Sequence, residues 1–417
     1  MNKLEIKPSR LNGVVKVDGA KNSALRLLAA SILTEQQIVL TNYPSKLLDT
    51  QIHVGMLEML GKECNLTSSN SIQIREQGRI QTKLEWQERS IRNTLLILGA
   101  LVTRFGEGAV PLPGGCKLGE RKYDIHVSVL NALGAEVWED ETYLYAKAKQ
   151  RLKGSDIKLP LRSTGATENA IITATLASGT TRIWNPHVRP EILDLISMLR
   201  KMGAKIRVHG QEHIEVCGVG SLSGCEHSVI PDSMEAITWL TAAVTSDGDV
   251  EIENFPTKDL EVVLAHVKAA GARIFEGESS VIVRGGRCYP IEISTGPHPG
   301  INSDVQPLLA AWATKANGQS KIIDLRFPGR YGYAEEMAKM GLKYRVEGDL
   351  LVIDGGASSM VGSEVKALDL RAGAALAICG LFAEGKTVIT DAWQISRGYV
   401  DFVEKVQRLG GHATWIE

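Results

Sequence analysis

The sequence lacks an excess of charge of either sign and a long hydrophobic segment. Its 47 Lys and Arg residues nearly balance its 48 Asp and Glu residues, so the net charge at pH 7 is −1. This balance excludes a general electrostatic attraction to nucleic acid or to anionic membranes. The longest nearly uninterrupted apolar segment, residues 372–383, has 12 residues, whereas a helix that crosses a bilayer needs roughly 17–25. We therefore expect neither a nucleic acid nor a membrane as a partner.

Cysteine is scarce and shows no metal-binding pattern. The six cysteines are scattered singly, without the Cys-x-x-Cys spacing of zinc or redox sites, so we expect free thiols, no metal and a reducing compartment. Cys64, Cys217, Cys288 and Cys379 lie in apolar contexts typical of a core. Residues 1–13 lack the apolar stretch of a secretory signal, which favours a cytoplasmic protein. Walker A, His-Glu-x-x-His and Gly-x-Ser-x-Gly motifs are also absent.

The chain contains a sixfold repeat. Each copy has an apolar-periodic stretch, then a glycine, then a strand-like run, and the six glycines are Gly61, Gly134, Gly203, Gly271, Gly341 and Gly410. Their spacing of 68 to 73 residues accounts for the whole chain. A glycine directly after an apolar helical pattern is typical of a helix end in the left-handed conformation. Each copy therefore predicts an amphipathic helix followed by a strand.

Each repeat also contains a second helical segment of different character. Residues 169–185 and 235–254 are examples, and their Ala, Leu, Ile and Thr residues on all faces predict buried helices. Two helices and several strands in each unit of about 70 residues indicate an α/β fold. Such units could stack as a solenoid, but their size favours two globular domains, and 417 residues at roughly 150 per domain allow two or three.

One glycine-rich loop carries a candidate reactive cysteine. Residues 112–126 surround Cys116 with glycines, a proline and several cations, among them Arg121 and Lys122. Nearby cations lower the pKa of a thiol and so favour the nucleophilic thiolate. The residues alone leave two interpretations open, a reactive thiol and an incidental loop cysteine.

Further basic residues lie beside small or turn-forming neighbours. They are Lys21 with Asn22 after it, Arg92, Arg330, Arg371 and Arg397. Each could be a solvated charge, or several could converge on a polyanionic ligand, because guanidinium groups and helix N-termini suit phosphate and carboxylate. Asp304 precedes a buried-helix pattern, and by itself this position favours a helix N-cap.

In combination these segments resemble the enolpyruvyl transferase family. The similarity runs in order through DGAKNSAL, LGALVTRFGEG, LPGGCKLGERKYDIH, STGATEN, RPEILD, IPDSMEA, GPHPGINSD, FPGRYGY, DLRAG and SRGY, which covers nearly the whole chain. The resemblance implies an inside-out α/β barrel fold with two domains, each of three βαβαββ-like units around a pseudo-threefold axis. It implies residues 22–230 as one domain and residues 1–21 with 231–417 as the other.

The resemblance also implies a reaction. In this family the enolpyruvyl group of phosphoenolpyruvate moves to a hydroxyl by addition and elimination, without a metal or a cofactor. The implied acceptor is UDP-N-acetylglucosamine, in peptidoglycan precursor synthesis. Cys116 matches the cysteine that protonates the methylene carbon and that fosfomycin alkylates, and Asp304 matches the carboxylate that takes the hydroxyl proton. Lys21, Arg121 and Arg397 match the residues that hold the phosphate and carboxylate of phosphoenolpyruvate.

The resemblance is less complete on the acceptor side. Residues at the remaining substrate-binding positions are Asn22, Arg92, Lys122, Tyr123, Asp124, Ile125, Ser163, Thr164, Gly165, Arg326, Arg330, Asp369 and Arg371. The family usually has Pro-Val at Lys122-Tyr123, a lysine at Leu161 and a small apolar residue at Arg326. Ser233, Gly329 and Gln394 replace an arginine, an asparagine and a histidine of the family. Another nucleotide acceptor, such as the UMP of nucleoside-antibiotic pathways, is therefore the alternative.

Two other classes fit the residues less well. A ligand-sensing relative without catalysis would lack the acid or the base, yet Cys116 and Asp304 are both present. An enzyme of the RNA 3′-phosphate cyclase type would have a basic surface and a nucleophilic histidine in a recognisable motif, and neither is evident among the nine histidines.

Overall fold

The computed structural model describes residues 3–89, 91–113, 123–356 and 359–417. The chain forms two compact units. The inserted unit comprises Gly19–Ile230, and the flanking unit comprises Met1–Asp18 together with Pro231–Glu417. The first division falls between residues 18 and 19, three residues before the boundary that the resemblance implies, so Lys21 lies in the inserted unit. Each unit has a hydrophobic core of its own.

Helices and strands alternate along both units. The helices are α1 (Lys21–Ala30), α2 (Leu48–Met59), α3 (Thr94–Phe105), α4 (Asp124–Ala132), α5 (Thr164–Ala174), α6 (Pro190–Lys201), α7 (Ser233–Thr245), α8 (Glu261–Ala269), α9 (Gln306–Lys315), α10 (Gly332–Ala338), α11 (Leu370–Gly380) and α12 (Phe402–Arg408). The strands are β1 (Lys3–Lys7), β2 (Asn12–Lys16), β3 (Ile38–Thr41), β4 (Lys62–Ser68), β5 (Ser71–Glu76), β6 (Glu107–Pro111), β7 (Glu136–Glu139), β8 (Tyr143–Lys147), β9 (Asp156–Lys158), β10 (Thr180–Trp184), β11 (Lys205–His209), β12 (His213–Cys217), β13 (Cys225–Ser228), β14 (Asp249–Glu253), β15 (Arg273–Glu276), β16 (Ser280–Arg284), β17 (Glu292–Ser294), β18 (Gly318–Ile323), β19 (Tyr344–Glu347), β20 (Leu350–Gly355), β21 (Glu364–Lys366), β22 (Thr387–Thr390) and β23 (His412–Ile416).

The described part of each unit contains three small sheets. In the inserted unit the strand orders are β13-β3-β5-β4, β6-β8-β7 and β11-β12-β10-β9. In the flanking unit they are β15-β16-β14-β2, β17-β18-β20-β19 and β21-β22-β1-β23. Every four-stranded sheet has one outer strand in parallel pairing and antiparallel pairing elsewhere; Ile38 of β3, for example, aligns with Cys225 in parallel and with Ile74 antiparallel. The repeating βαβαββ order confirms the predicted fold class.

The second helical segment of each repeat is buried, as predicted. In the inserted unit α3 packs against α1 and α5, and in the flanking unit α7, α9 and α11 pack against one another. Every residue of α7 after Ser233 is buried. A helix with protein on all sides needs small or apolar side chains on all faces, which explains the Ala, Leu, Ile and Thr composition. These buried helices therefore form the interior of each unit.

The remaining helices are amphipathic and end where the sequence pattern predicts. In α6, for example, Leu195, Met198 and Leu199 are buried, whereas Ser197 and Arg200 are exposed. The six repeat glycines that follow these helices all have positive φ angles, between 79° and 103°. Only glycine adopts this conformation without strain, so the repeated glycine is a backbone requirement of the turn into the next strand.

The cysteines follow the core pattern only in part. Cys288 and Cys379 are buried, as expected, whereas Cys64 and Cys217 are partly exposed. Cys64 lies on the edge strand β4, and Cys217 is on the outward face of β12, whose buried residues are Ile214 and Val216. Within the described ranges, no helix combines the length and the apolar character that a membrane span requires.

Candidate active site

The predicted site residues divide into three sets. Cys116, Arg121 and Lys122 lie outside the described residues. The inserted unit carries Lys21, Asn22, Arg92, Tyr123, Asp124, Ile125, Ser163, Thr164 and Gly165. The flanking unit carries Asp304, Arg326, Arg330, Asp369, Arg371 and Arg397. Most of those in the inserted unit, and half of those in the flanking unit, lie at or just before the starts of the buried helices.

The first helix of the inserted unit begins at a buried lysine. Lys21 is the first residue of α1, and its Nζ lies 3.4 Å from Oδ2 of Asp49, a buried residue in the first turn of α2. Asn22 follows it and is half-buried. The start of a helix disfavours a cation because the helix dipole is positive there, and burial adds to that cost. The position therefore suits the binding of an anion close to Lys21.

A neutral histidine lies near the starts of α3, α4 and α5. Burial, together with the charge of Arg92, lowers the pKa of His126 to about 4, so its ring is uncharged at neutral pH. The side-chain amide of Asn169 donates to Nδ1 of His126 over 3.2 Å. A Cβ atom on Gly165 would lie 3.0 Å from Nε2 of the same ring, so the glycine allows this close approach. His126 therefore lies near both Arg92 and Gly165.

The start of α4 presents side chains to solvent. Asp124 is the first helical residue and is exposed, and Tyr123 and Ile125 on either side are half-buried. The hydroxyl of Tyr123 donates to the carboxylate of Glu139, and this hydrogen bond raises the pKa of Tyr123 to about 12. The phenol is therefore a neutral donor at physiological pH.

The start of α5 is held by hydroxyl groups. Oγ of Ser163 accepts a hydrogen bond from the backbone amide of Ala166 over 3.4 Å and so caps the helix. Oγ1 of Thr164 lies 2.8 Å from Nδ1 of His187. These contacts connect the beginning of α5 to the loop before α6.

A buried ionic network, which no sequence pattern predicted, lies beside these residues. Nε of Arg26 on α1 lies 2.6 Å from Oε1 of Glu168 on α5, and Arg189 pairs with Glu191 through two hydrogen bonds of 2.6 and 2.8 Å. Burial raises the pKa of Glu168, although the charges of Arg26 and Arg189 act against that shift. The available sequence signal was a charged residue, Arg26, inside an otherwise apolar helix pattern.

In the flanking unit three carboxylates lie at the starts of the three buried helices. Asp232 caps α7, and its Oδ1 accepts from two backbone amides over 2.8 and 3.0 Å. Asp369 caps α11 in the same way, over 2.8 and 2.9 Å. Asp304 lies in a 3₁₀ turn before α9, and Asn302 caps that turn by accepting from the amide of Asp304. The N-cap interpretation of Asp304 is therefore wrong, because the side chain of Asn302 is the cap.

Arg330 joins two of these carboxylates. Its Nη1 lies 3.1 Å from Oδ1 of Asp304, and its Nη2 lies 3.0 Å from Oδ2 of Asp369. Burial opposes the charge of the guanidinium, but the two carboxylates outweigh it and raise the pKa of Arg330. The side chain of Asp304 is 30% exposed, against 9% for Arg330 and 12% for Asp369. Asp304 is therefore the carboxylate of this group that a ligand can reach.

Arg371 is the most deeply buried cation of the group. Its Nε lies 3.7 Å from Oδ2 of Asp304, and its side chain is 1% exposed. Its guanidinium lies over the ring of Tyr399, 5.2 Å from the ring centre. Nε and Nη1 are buried and donate no hydrogen bond within the described residues. Tyr399 was not among the predicted site residues, although the SRGY segment contains it.

Arg326 and Arg397 lie on the loops around this group. The guanidinium groups of Arg326 and Arg330 lie 5.6 and 5.8 Å from the ring centre of Phe327. Arg397 is the last residue of a 3₁₀ helix (Ala392–Arg397), and its Nη1 donates to Oε1 of Gln394 over 3.1 Å. Of the predicted site residues in this unit, those in direct contact with one another are Asp304, Arg330, Asp369 and Arg371.

The group combines an accessible carboxylate with several fixed cations. Guanidinium groups suit the binding of carboxylate and phosphate, and a carboxylate in an ion pair is in the ionised form that can accept a proton. Across the described ranges, no group of three or more His, Cys, Asp or Glu side chains is arranged to hold a metal ion.

Comparisons with known proteins show extensive similarity. A family model described as EPSP synthase (3-phosphoshikimate 1-carboxyvinyltransferase) matches residues 6–406. The chain is 38% identical, over 423 residues, to the UDP-N-acetylglucosamine 1-carboxyvinyltransferase of Finegoldia magna, with 100% of this chain and 99% of that protein covered. It is 42% identical, over 403 residues, to the UDP-N-acetylglucosamine 1-carboxyvinyltransferase 1 of Carboxydothermus hydrogenoformans, with 96% and 94% covered.

Two solved structures share the fold at lower identity. The enolpyruvyl transferase NikO from Streptomyces tendae superposes with a TM-score of 0.89 at 24% identity and 99% coverage of both chains. EPSP synthase from Acinetobacter baumannii superposes with a TM-score of 0.78 at 19% identity and complete coverage of both chains. These likenesses agree with the architecture of two units and six repeats.

Proposed function

Because this chain belongs to the EPSP synthase (3-phosphoshikimate 1-carboxyvinyltransferase) family and is therefore an enolpyruvyl transferase, we propose that its substrates are phosphoenolpyruvate and UDP-N-acetylglucosamine. The enolpyruvyl group moves to the 3-hydroxyl of the sugar, and phosphate is released. The observation that carries this proposal is the identity of 37–42% to relatives named for that reaction, over nearly the full length of the chain. The product is a peptidoglycan precursor made in the cytoplasm.

Asp304 is the general base of the addition step. It takes the proton from the acceptor hydroxyl while the oxygen forms a bond to C2 of phosphoenolpyruvate, and a proton adds to the methylene carbon. The family resemblance assigns that second proton to Cys116. Loss of a proton from the resulting methyl group and departure of phosphate then restore the double bond. Arg330 supports this role, because its Nη1 donates to Oδ1 of Asp304 and so orients the carboxylate, which is 30% exposed.

The cations bind the anionic substrates. Phosphoenolpyruvate carries roughly three negative charges near neutral pH, so several fixed cations are needed to hold it and to stabilise developing charge. In the flanking unit Arg371 and Arg397 provide them, and Arg371 has two buried nitrogens that find no acceptor in the part of the chain that the structure describes, which supports its part. In the inserted unit Lys21 provides a cation at a helix start.

The acceptor is tested by direct comparison. Purified protein is given phosphoenolpyruvate with either UDP-N-acetylglucosamine or UMP, and phosphate release and product mass are measured. Turnover with the UDP-sugar supports the proposal. Turnover with UMP alone would establish the alternative acceptor. The observation that favours this alternative is that Leu161 and Arg326 differ from the residues usual in the family at those positions. Turnover with neither would overturn both.

The role of Asp304 is tested by Asp304→Asn, which keeps the size of the side chain and removes its basicity. We expect kcat to fall by roughly 10²–10⁴. Asp354→Asn is the matched control, because Asp354 also pairs with an arginine, Arg345 at 3.7 Å, but lies on the outer sheet. Near-normal turnover of the Asp304 variant, or an equal loss in the Asp354 variant, would contradict the assignment.

A further inference from the structure

Tyr399 forms the support beneath Arg371. The guanidinium carbon of Arg371 lies 5.2 Å from the centre of the Tyr399 ring, and both side chains are almost fully buried. A desolvated cation over an aromatic face is attracted by the ring quadrupole. The nearest carboxylate oxygen, Oδ2 of Asp304, is 3.7 Å from Nε, which is longer than a hydrogen bond. The ring is therefore a principal contact of this cation.

A hydrogen bond fixes the ring itself. Oγ1 of Thr238 donates to the backbone carbonyl of Met234 over 2.8 Å, so its one proton is committed there. Oγ1 lies 2.9 Å from the hydroxyl of Tyr399. Since a threonine hydroxyl has one donor and two acceptor sites, the phenol must be the donor of this second bond. Tyr399 is thus hydrogen-bonded to α7, and the face of its ring packs against Arg371 of α11.

Aromatic packing and a glycine complete the support. Phe402 packs edge-on against Tyr399 at 5.6 Å, and Trp239 stacks on Phe402 at 5.5 Å. A Cβ atom on Gly398 would lie 3.5 Å from Nη1 of Arg371 and 2.3 Å from Cδ1 of Leu370. The segment before Tyr399 therefore accommodates no larger residue, and the ring has little freedom to move.

From this geometry we infer that Tyr399 is a positioning residue, which holds the Arg371 guanidinium so that Nε and Nη1, which donate no hydrogen bond to any described residue, receive an anionic group of phosphoenolpyruvate. A buried donor without an acceptor is costly, and it is tolerated where a ligand supplies the acceptor. Preorganisation by a ring leaves both donors available, whereas a carboxylate in the same place would occupy them. The identity of the anion rests on the proposed function.

The test compares variants that keep or remove the ring. Tyr399→Leu removes it, and we expect the Kd of phosphoenolpyruvate, measured by calorimetry, to rise about tenfold. Tyr399→Phe keeps the ring and should restore the Kd to within about threefold of the wild-type value. Phe255→Leu is the control, because it removes a buried aromatic side chain of the same unit that lies in the segment after β14 and takes no part in the support of Tyr399. It should lower the melting temperature without changing the Kd.

Two further measurements keep the inference testable. If Tyr399→Leu does not fold, fluorinated phenylalanines placed at position 399 weaken the ring quadrupole at nearly constant shape, and the Kd should rise with each added fluorine. Relaxation of the Nε–H group of Arg371, measured by NMR without ligand, should show a rigid group in the wild type and a mobile one once the ring is lost. A mobile group in the wild type, or equal Kd values in the Leu and Phe variants, would overturn the inference.

Failure of the proposed function gives a different result. If the wild type releases no phosphate with either acceptor, the proposed reaction is wrong, yet ligand binding and the relaxation of Arg371 still report on Tyr399. Conversely, suppose that the wild type turns over normally but the Kd of phosphoenolpyruvate is unchanged in Tyr399→Leu. The proposed reaction would then be supported, and Tyr399 would have no positioning role in it.

Discussion

Two buried histidines should make the inserted unit sensitive to acid. Burial, together with the charge of Arg26, lowers the pKa of His53 to about 3, and burial with the charge of Arg92 lowers that of His126 to about 4. The unfolded chain has the ordinary histidine pKa of about 6.5. Below that pH the unfolded state binds more protons than the folded state, so the free energy of unfolding must fall as the pH falls.

The size of the effect follows from the two pKa values. At pH 5 both rings are still neutral in the folded unit and almost fully protonated in the unfolded chain. Each histidine then costs about 2 kcal/mol relative to pH 8, or about 4 kcal/mol together. Between pH 6 and pH 5 the loss is about 2 kcal/mol. A typical domain has a stability of roughly 5–15 kcal/mol, so this is a large share.

The assay compares the wild type with the double variant His53→Asn, His126→Asn. Asparagine retains an acceptor for the side-chain amides of Asn93 and Asn169, which pair with the two rings, but it does not titrate. Urea unfolding is measured at pH 7.5, 6 and 5. At each urea concentration a short hydrogen-exchange pulse at one common pH labels the unfolded molecules, and mass spectrometry then gives the unfolded fraction of each unit.

The double variant should lose about 2 kcal/mol less than the wild type between pH 6 and pH 5, and only in the inserted unit. The flanking unit is the internal control because neither histidine lies in it. An identical pH dependence of the inserted unit in both proteins would refute the reasoning.

Three further predictions concern packing, charge and the loop thiol. In Gly99→Ala the new Cβ would lie 1.9 Å from Oδ1 of the buried Asn169, so we expect a loss of about 1–3 kcal/mol, measured by urea unfolding; an unchanged midpoint would contradict it. Arg330→Met removes the cation that joins Asp304 to Asp369 and should destabilise the flanking unit by about 3–5 kcal/mol in the same assay, with Arg345→Met on the outer sheet as the control. Cys116→Ser should abolish labelling by fosfomycin while phosphoenolpyruvate binding persists, and mass spectrometry that finds the label on another cysteine would contradict the assignment.

Local sequence patterns predicted much of the fold. The six glycines at intervals of 68 to 73 residues predicted six helix ends, and each has the positive φ angle that the pattern requires. The Ala-rich segments predicted buried helices, and α7 and α11 are buried almost throughout. These features depend on neighbours within a few residues along the chain, so the sequence contains what is needed to recognise them.

The roles of the candidate site residues were predicted only through the family resemblance. Asp304 looked like a helix cap because the residues after it form a helix, and nothing nearby in sequence shows that Asn302 takes that role. Arg26 in α1 and Glu168 in α5 form an ion pair across 142 residues of sequence, and neither position by itself predicted a partner. A charged residue inside an apolar helix pattern was the one local signal of that network.

The sequence by itself determined the repeat, the helix ends and the buried or amphipathic character of each helix, because backbone conformation and periodicity are local properties. Tertiary structure alone decided which charges meet. Arg330 reaches Asp304 and Asp369, at sequence separations of 26 and 39 residues, only because the starts of α9 and α11 converge. Tyr399 comes to lie beneath Arg371 in the same way. Ion pairing, desolvation and stacking depend on distance in space, and the packing of the buried helices sets that distance.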